Sequence, residues 1–551
     1  MTANLEPGQD PIRHVVALIL ENHSFDQMLG CFRQIHPKLD GIDPANLRWN
    51  EDDQGRRFTQ KATTERMMLL DPHHEVNHVA VQLAGHNGGF VRDLKQSYPQ
   101  DDGTGCQDVM GYYPLDYLPA LHALARDFTI CDRWFSSLPG PTWPNRFFAL
   151  TGTSNGRVNM PNDGEHTVDL AGWFQQDQTT LFDRLNERGI RWKVYFHDIP
   201  QTSVLLHQRM PHNTARYFYI DELFDDARGA EPDFPQFALI EPDYMGAEEN
   251  DDHPPHDIMK AEKLVADVYN AIRANQKLWE STLLLVFFDE HGGFYDHVEP
   301  PAAIPPDDHR EEYGFDQFGL RVPALLVSPW ARRGVVSTQF DHTSVLKYLI
   351  GKWQLGPLGR RAANPTTNSI GGALADAMRQ DSDTIRRIEL SAAELAPVDL
   401  DAEERSWGIE TSHHRALQAF KDFLRIETVE NLPHLYSWCA RLIERLKTGA
   451  EWGLGRLYRE PEQYWVSITE LDRLARLPKR ISSLREDFAR FLMHQKRQSP
   501  AALAQRIRNL ELPEAVRDQA VHTLSLVTNR RFSRTKRPAF HADAWLKARG
   551  E

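Results

Sequence analysis

The chain has 551 residues, of which 41% are hydrophobic and 26% are charged. This composition is typical of a globular protein and excludes a chain that is mainly disordered. The formal net charge of −15 is unevenly divided, because residues 479–551 carry 16 Lys and Arg against 7 Asp and Glu, a net +9 that leaves −24 for residues 1–478. An acidic body of this kind argues against nucleic-acid binding.

The sequence pattern predicts neither a membrane-spanning segment nor an export signal. Its longest apolar runs have the length of strands and fall well short of the roughly 20 residues that cross a bilayer. The N-terminal stretch lacks the basic and apolar regions of a signal peptide. Four widely spaced cysteines indicate buried thiols and no disulfide framework. We therefore expect a protein without a transmembrane segment that is cytoplasmic or is exported by a signal-independent route.

Short apolar runs that end in polar clusters recur along the chain. "HVVALIL" (14–20) leads into "ENHS", "LLLVFF" (283–288) into "DEHGG", and "VPALLVS" (322–328) into "PW". Helical patterns lie at 118–128 and 261–274, with apolar residues three and four positions apart. Buried strands alternating with helices predict an α/β fold with a mostly parallel sheet sandwiched by helices. In such sheets, ligands bind at the carboxyl ends of the strands.

The stretch "ENHSFDQMLG" (21–30) follows the first predicted strand. Glu21 and Asn22 place a carboxylate beside an amide oxygen, a hard oxygen pair that suits a divalent cation. The same stretch is also typical of an ordinary polar turn, with Ser24 capping a short helix that ends at Gly30. This segment alone does not separate the two interpretations.

The stretch "LPGPTWPNRFFALTG" (138–152) predicts a helix that begins near Thr142 and Pro144. A hydroxyl at a helix N-terminus lies in a positive potential, which favours its alkoxide and the binding of an anionic oxygen. The alternative is a threonine that caps an ordinary buried helix. Arg146, four residues after Thr142, is as consistent with a structural ion pair as with a functional role.

The stretch "LLLVFFDEHGGFYDHVEPP" (283–301) is the most informative part of the sequence. It carries five ionisable side chains within nine residues, namely Asp289, Glu290, His291, Asp296 and His297. Such groups would repel or desolvate one another at the end of a buried strand unless a cation or a substrate organised them. Gly292 and Gly293 would let the backbone approach a ligand closely. The stretch therefore predicts a functional site with a metal ion.

Three further histidines lie beside acidic residues. They are His74 in "DPHHEVNH", His253 in "DDHPPHD" and His342 in "FDHTSVLKYL". A single histidine is more often a surface residue or a hydrogen-bonded core residue than a catalyst. Spacing alone therefore assigns no role to these three.

The character of the sequence changes near residue 400. Helical periodicity without strand-like runs predicts a catalytic domain over 1–400 and an α-helical C-terminal region with a basic tail over 401–551. The basic stretch "NRRFSRTKRPAF" (529–540) is a candidate for peripheral contact with an anionic membrane surface. Docking of this tail on the acidic body is the alternative.

The motifs above occur together in a known order. "ENHSFDQMLG", "DPHHE", "HNGGF", "SSLPGPTWPNRFFALTGTS", "DHPP", "FFDEHGGFYDHVEPP", "GLRVPALLVSPWARRG" and "FDHTSVLKYL" follow one another over about residues 11–355. This arrangement resembles the bacterial phospholipase C and acid phosphatase family of phosphoesterases, which belongs to the alkaline phosphatase superfamily. Several of the motifs are long enough to make a chance match implausible.

The resemblance implies roles for individual residues. Thr142 is similar to the nucleophile of the family, where related phosphatases carry Ser. The implied metal ligands are Glu21, Asn22, Thr142, Asp289 and Glu290. The implied phosphate-contacting or leaving-group histidines are His74, His253 and His342. His291, Asp296 and His297 also match the motif and are candidates for substrate binding.

The resemblance implies a metal-dependent phosphoesterase, and three substrate interpretations follow. A phospholipase C acting on phosphatidylcholine-like lipids is favoured by the threonine in "PTWPNR" and by aromatic residues that could form a choline cage, with Tyr112 and Tyr113 as candidates. The alternatives are an acid phosphatase of broad monoester specificity and a catalytically idle, metal-stabilised binding protein. Zinc, calcium, magnesium and manganese all suit the donor set. The sequence leaves the number of ions and the oligomeric state open.

Overall fold

The structure is a computed structural model that describes residues 10–161, 170–210, 213, 216–244, 249–309, 313–380, 384–398, 413–417 and 419–420. The chain divides into two compact units. The first comprises Met1–Val168, Asp177–Tyr195 and Ile220–Ala416, and the second comprises Asp169–Gln176, Phe196–Tyr219 and Leu417–Glu551. The residues treated below as the candidate site all belong to the first unit.

The described residues form fourteen strands, labelled in chain order. The strands are β1 His14–Leu20, β2 Trp49–Glu51, β3 Arg57–Thr59, β4 Lys61–Ala62, β5 Gly111–Tyr112, β6 Thr129–Cys131, β7 Trp134–Phe135, β8 Trp192–Phe196, β9 Tyr217–Tyr219, β10 Phe237–Glu241, β11 Thr282–Phe288, β12 Ala324–Val327, β13 Gly334–Val336 and β14 Phe340–Asp341. β2 pairs with β3, β4 with β5 and β7 with β14 in three small two-stranded sheets.

The α-helices are numbered in the same way. They are α1 Phe25–Leu29, α2 Val76–Asn87, α3 Phe90–Ser97, α4 Thr104–Asp108, α5 Leu121–Asp127, α6 Thr142–Thr151, α7 Leu170–Phe174, α8 Leu181–Glu187, α9 Ile220–Arg228, α10 Ile258–Ala274, α11 Gln276–Trp279, α12 Thr343–Trp353 and α13 Arg360–Ala363. Short 3-10 helices span Gly30–Gln34, Gln201–Val204, Leu206–Arg209, Glu231–Asp233 and Ile370–Ala373. Residues 413–417 are helical as well.

The main sheet is mostly parallel. Seven of its strands run in the order β13, β6, β12, β11, β1, β10, β8. β1 is parallel to both of its neighbours, β10 and β11, whereas β12 is antiparallel to both β11 and β6. Every residue of β1 and β11 is buried, as expected of central strands covered on both faces.

The predicted elements are confirmed where the apolar pattern is strongest. The runs at 14–20 and 283–288 form β1 and β11, and the run at 322–328 forms β12. The helical patterns at 118–128 and 261–274 form α5 and α10. The predicted α/β fold with a mostly parallel sheet is therefore confirmed.

The second unit is described in part. It contains α7, two of the 3-10 helices and β9. Within it, the ring of Phe174 lies 5.1 Å from that of Phe420, and Arg209 donates a 2.6 Å hydrogen bond to the Phe174 carbonyl.

The C-terminal predictions fall largely outside the described residues. Of the region 401–551, the structure describes 413–417 and 419–420, so the helical character of the remainder stays a prediction. The basic stretch 529–540 also lies outside the described part. In the part of the chain that is described, none of the helices is both long and apolar enough to span a membrane.

Candidate active site

Four polar side chains leave the sheet together at the carboxyl ends of β1 and β11. The two parallel strands are in register, with Leu20 opposite Phe288, so Glu21 and Asn22 emerge beside Asp289 and Glu290. The backbone N–H of Asn22 donates to Asp289 Oδ1 at 3.4 Å. Each of the four is at most 1% exposed. The structure thus brings together four of the five residues that the family resemblance implied as metal ligands.

A buried arginine connects two of these carboxylates. Arg146 in α6 places Nη2 3.0 Å from Glu21 Oε1 and Nε 2.8 Å from Asp289 Oδ2, and its Nη1 donates to the Tyr244 hydroxyl at 2.9 Å. Burial raises the pKa of Asp289 well above its ordinary value, although Arg146 acts in the opposite direction. One guanidinium therefore pairs with two buried carboxylates, those of Glu21 and Asp289.

Thr142 is the first residue of α6, the helix that carries Arg146, and its hydroxyl is buried. The residue is 1% exposed, and within the described part of the chain its Oγ1 has no hydrogen-bond partner. Residues four apart in a helix lie on the same face, which places Thr142 one turn from Arg146. A buried hydroxyl without a partner is costly, so its retention indicates a ligand or a reactant.

His74 faces Asn22 and Glu290. Its Nδ1 bonds to the Pro72 carbonyl at 2.9 Å, and its Nε2 lies 3.2 Å from Asn22 Nδ2 and 3.8 Å from Glu290 Oε1. Burial lowers the pKa of His74, but the nearby carboxylates, led by Glu290, outweigh it and raise the pKa to about 10. Burial likewise raises the pKa of Glu290, to about 7, and His74 limits that rise.

His253 is also buried in this region. Its Nδ1 donates to the Pro254 carbonyl at 2.6 Å, which fixes the tautomer that leaves a lone pair on Nε2. Among the described residues, Nε2 has no hydrogen-bond partner. The His253 ring lies 5.9 Å from that of His74, and burial holds its pKa well below the ordinary value.

His413 is a site residue that the sequence analysis did not identify. It is 2% exposed, its Nδ1 lies 2.9 Å from Glu21 Oε2, and its ring centroid lies 5.7 Å from that of His253. Glu21, His253 and His413 offer ligand atoms that all lie within 4.8 Å of one another. Only the pair "HH" in a helical stretch marks this position, and sequence distance gives no sign that it reaches the edge of the sheet.

The two glycines of the motif lie close to neighbouring parts of the protein, and their predicted role in letting a ligand approach stays a prediction. Gly292 has a φ of +63°, and a Cβ atom on it would lie 2.1 Å from the carbonyl oxygen of Asn22. A Cβ atom on Gly293 would lie 2.7 Å from Pro72 Cβ. The glycines thus admit neighbouring protein backbone and side chain, and Gly292 holds the segment against Asn22.

Replacing Gly292 by alanine is expected to destabilise the fold by more than about 2 kcal/mol, because the left-handed conformation and the clash with Asn22 add together. The matched control is Gly189→Ala, since Gly189 has a similar φ of +66° but no heavy atom within 4 Å of the added Cβ. Chemical denaturation of both variants isolates the clash. Equal losses would show that Asn22 moves aside without cost.

His342 and His291 lie behind the carboxylates. His342 Nε2 donates to the Asp289 carbonyl at 2.7 Å, while its Nδ1 accepts from Trp134 Nε1 at 3.2 Å. His291 Nε2 lies 2.8 Å from Gln82 Oε1. In this arrangement both ring nitrogens of His342 are bonded to protein groups, and its predicted contact with a phosphoryl group stays a prediction.

Asp296 and His297 belong to a separate ion-pair network. Asp296 pairs with Arg321 at 2.9 Å, and His297 lies 2.8 Å from Asp26 Oδ2 and 3.0 Å from Asp40 Oδ1. Their side-chain partners among the described residues are therefore not the predicted metal ligands. Their predicted role in substrate binding stays a prediction, and the contacts seen here stabilise the loop after β11.

This network predicts a pH-dependent contribution to stability. Burial lowers the pKa of His297, but Asp26 and Asp40 outweigh it and raise the pKa to about 10. A raised pKa stabilises the folded state fully below the ordinary value of about 6.5, and the stabilisation is lost as the pH rises through about 10. His297→Gln should therefore lose unfolding free energy relative to the parent chain. We expect this loss to be at least about 1 kcal/mol larger at pH 6 than at pH 10.

Denaturant titrations at several pH values measure this difference. His86→Gln is the control, because the His86 side chain is 87% exposed. A His297→Gln deficit that stays constant from pH 6 to pH 10 would contradict the ion-pair assignment.

The two candidate choline-cage tyrosines differ in exposure. Tyr113 is fully buried, donates from its hydroxyl to the Glu65 carbonyl at 3.1 Å, and stacks on Tyr117 with ring centroids 5.5 Å apart. Tyr112, the last residue of β5, is only partly buried. Of the two rings, Tyr112 is the more accessible to a ligand.

The donor set fits a divalent cation. Four buried atoms without a hydrogen-bond partner among the described residues are Asn22 Oδ1, Thr142 Oγ1, Glu290 Oε1 and His253 Nε2. Three of them are hard oxygens, and they accompany the three buried carboxylates of Glu21, Asp289 and Glu290, of which Arg146 pairs with the first two. Excess buried negative charge and unpaired oxygens are what a bound cation would compensate.

Comparisons with known proteins agree with the motifs. A family model described as "Phosphoesterase family" matches residues 12–356. Non-specific phospholipase C6 of Arabidopsis thaliana is 34% identical over 362 residues, covering 61% of this chain and 67% of that protein. Phospholipase C A of Mycobacterium tuberculosis (strain ATCC 25618 / H37Rv) is 28% identical over 386 residues, covering 61% of this chain and 72% of that protein.

Solved structures with a likeness include murine ectonucleotide pyrophosphatase / phosphodiesterase 5, with a TM-score of 0.32 and 13% identity over 47% of this chain and 95% of that chain. The family match covers more than half of the present sequence and includes every residue of the predicted metal-binding group. The chain therefore belongs to the Phosphoesterase family and is a phosphoric ester hydrolase.

Proposed function

We propose that the chain is a metal-dependent phospholipase C that hydrolyses phosphatidylcholine-like lipids to diacylglycerol and a phosphorylated head group through a phosphothreonine at Thr142. The observation that carries this proposal is the buried Thr142 hydroxyl at the start of α6, which has no hydrogen-bond partner among the described residues. Arg146, one turn further along that helix, contacts both Glu21 and Asp289. A nucleophile beside a group of charged residues is the arrangement that phosphoryl transfer requires.

The relatives support the class of substrate. The plant and mycobacterial proteins named above are both phospholipases C by name. The residues that the family model matches include Thr142 and the four acidic and amide residues at the sheet edge. A phosphodiester of a lipid head group is therefore the substrate we assign. Contact of the basic stretch 529–540 with a membrane surface is a further part of this proposal.

Glu21, Asn22, Asp289, Glu290 and Thr142 would hold the divalent cation. When bound, such a cation lowers the pKa of the hydroxyl and neutralises a phosphoryl oxygen. Oxygen ligands alone suit calcium, magnesium or manganese, whereas the nearby histidines would permit zinc.

The chain's own residues perform two displacements. Thr142 Oγ1 forms a bond to phosphorus as the bond to the glycerol oxygen breaks. The hydroxyl proton passes to His253 Nε2, which holds a lone pair, and then to the departing oxygen. A water molecule next attacks phosphorus, the bond to Thr142 breaks, and the proton that the water loses returns through His253 to Thr142. The raised pKa of His74 keeps a positive charge beside the site at neutral pH.

Head-group selection is assigned to an aromatic contact. Tyr112 is partly exposed, whereas Tyr113 is buried in a stack with Tyr117. We therefore assign any cation–π contact with a quaternary ammonium group to Tyr112.

A substrate panel with and without a chelator tests the proposal. We expect the chain to hydrolyse phosphatidylcholine vesicles and to release phosphocholine. Treatment with a chelator should lower the rate by at least about 100-fold, and adding back one of the four metals should restore it. Tyr112→Ala is expected to raise KM for phosphatidylcholine more than for phosphatidylglycerol.

Three outcomes would contradict it. Faster hydrolysis of a water-soluble monoester than of any phospholipid would identify a phosphatase. Metal binding without turnover of any phosphoester would identify an idle binding protein. Full activity in the chelator would remove the metal from the mechanism.

A further inference from the structure

A second cluster of potential metal ligands lies beside the candidate active site. Glu249, His256 and His414 offer one ligand atom each, all within 4.8 Å of one another. His256 Nε2 lies 3.2 Å from Glu249 Oε2, and His414 Nε2 lies 3.7 Å from Glu249 Oε1. The three residues come from two distant parts of the sequence and belong to one compact unit.

The spacing of these atoms matches that of ligands around one ion. Zinc bonds to nitrogen and oxygen ligands at about 2.1 Å, which places donor atoms in a tetrahedral site about 3.4 Å apart. Within the described chain, His256 Nε2 is buried and makes no hydrogen bond, even though Glu249 Oε2 is near. This geometry fits two metal-ligand atoms that point at a common ion better than it fits a hydrogen bond between the two side chains.

A carboxylate supports one of the imidazoles from behind. His256 Nδ1 lies 2.5 Å from Asp251 Oδ1, so Nδ1 donates to Asp251 and Nε2 is left as the ligand atom. Metal-binding histidines commonly have such a carboxylate on their second nitrogen, where it orients the ring and increases its basicity. Asp251 is fully buried, which fixes this support in place.

The cluster also differs from the candidate active site in its access to solvent. The side chains of Glu249 and His414 are each 21% exposed, whereas that of His256 is 5% exposed. Two of the three ligand side chains are thus partly open to solvent, whereas the four residues at the sheet edge are at most 1% exposed. Two nitrogen ligands and one carboxylate suit zinc and related transition metals more than calcium or magnesium.

We propose that Glu249, His256 and His414 form a second metal site, for zinc or a similar transition metal, that fastens the helical residues 413–416 to the segment carrying His253. Adjacent histidines of that helix then serve different groups, since His413 contacts Glu21 and His414 enters the second cluster. Holding His414 in place also holds His413 against the candidate active site. This proposal does not depend on the proposed function.

Zinc binding by the full chain tests the proposal. Stoichiometry is measured by elemental analysis after gel filtration, affinity by competition with a chromophoric chelator, and stabilisation by the rise in Tm on adding zinc. We expect His414→Ala and His256→Ala each to bind one zinc fewer than the parent chain and to lose most of the zinc-dependent rise in Tm. The exposed His86 provides the control, and His86→Ala should bind as the parent does.

Two further variants keep the test decisive. His414→Cys supplies another zinc ligand and should restore the lost equivalent, which separates loss of a ligand from misfolding. Glu290→Gln, in the candidate active site, should leave the equivalent at the second cluster intact. Unchanged stoichiometry and affinity in both His414→Ala and His256→Ala would overturn the proposal, as would failure of His414→Cys to bind more zinc than His414→Ala.

Discussion

Replacing Thr142 by valine is expected to lower kcat by at least about 10³-fold, because valine keeps the shape of threonine and removes the attacking oxygen. The same change should leave the free energy of unfolding of the metal-free chain unchanged or raise it by up to about 1 kcal/mol. The Thr142 hydroxyl is buried without a hydrogen-bond partner among the described residues, so its removal relieves a desolvation cost. Loss of activity without loss of stability is the signature of a residue kept for function.

The other end of the same helix supplies the matched control. Thr151 is equally buried, but its hydroxyl donates to the Phe147 carbonyl at 3.0 Å and accepts from Gln178 Nε2 at 2.8 Å. Thr151→Val should therefore cost about 1–2 kcal/mol of stability and retain most of the turnover. Steady-state kinetics and denaturant titrations of the two variants should give opposite patterns.

Thr142→Ser distinguishes the nucleophile from a residue that only shapes the site. Serine retains the oxygen, and we expect its turnover to remain within about tenfold of that of the parent chain. Trapping on rapid quench should give phosphoserine in this variant and phosphothreonine in the parent. Substantial activity in Thr142→Val would refute covalent catalysis at this position.

The parts of the fold that the sequence predicted are those with a continuous apolar pattern. β1 and β11 are buried on both faces, so their residues are apolar throughout and can be recognised without any partner. The direction of β12 could not be predicted in this way, because a buried run looks the same whether its neighbours are parallel or antiparallel. Its antiparallel pairing depends on the connection from β11, which local pattern does not encode.

The candidate site was predictable where residues directly follow a strand. Glu21 and Asp289 are fixed by the register of two adjacent strands, so position along the chain implies position in space. The contribution of His413 could not be predicted, since nearly 400 residues separate it from Glu21 and no motif surrounds it. The pairing of Arg146 with Glu21 and Asp289 could not be predicted either, because an arginine in an ion pair and an arginine that binds an anion look the same in the sequence.

Arg146 is expected to be the most important single residue for the stability of this edge of the sheet. Arg146→Met keeps much of the side-chain volume but leaves Glu21 and Asp289 buried without their cation. Breaking a buried ion pair by removing one partner typically costs about 3–5 kcal/mol, because the remaining charge stays in a medium of low polarity. Denaturant titration of the metal-free chain should show a loss of this size.

Two comparisons show whether charge is the cause of that loss. Arg387→Met removes an arginine that lies 2.7 Å from Glu389 in a pair whose side chains are each 72% exposed, and it should cost less than about 1 kcal/mol. Adding Asp289→Asn to Arg146→Met removes one of the stranded charges and should recover part of the lost stability. A double variant as unstable as the sum of the two single variants would instead assign the loss to packing around the guanidinium. In that case Arg146 would fill space beneath the site without balancing the charge of its carboxylates.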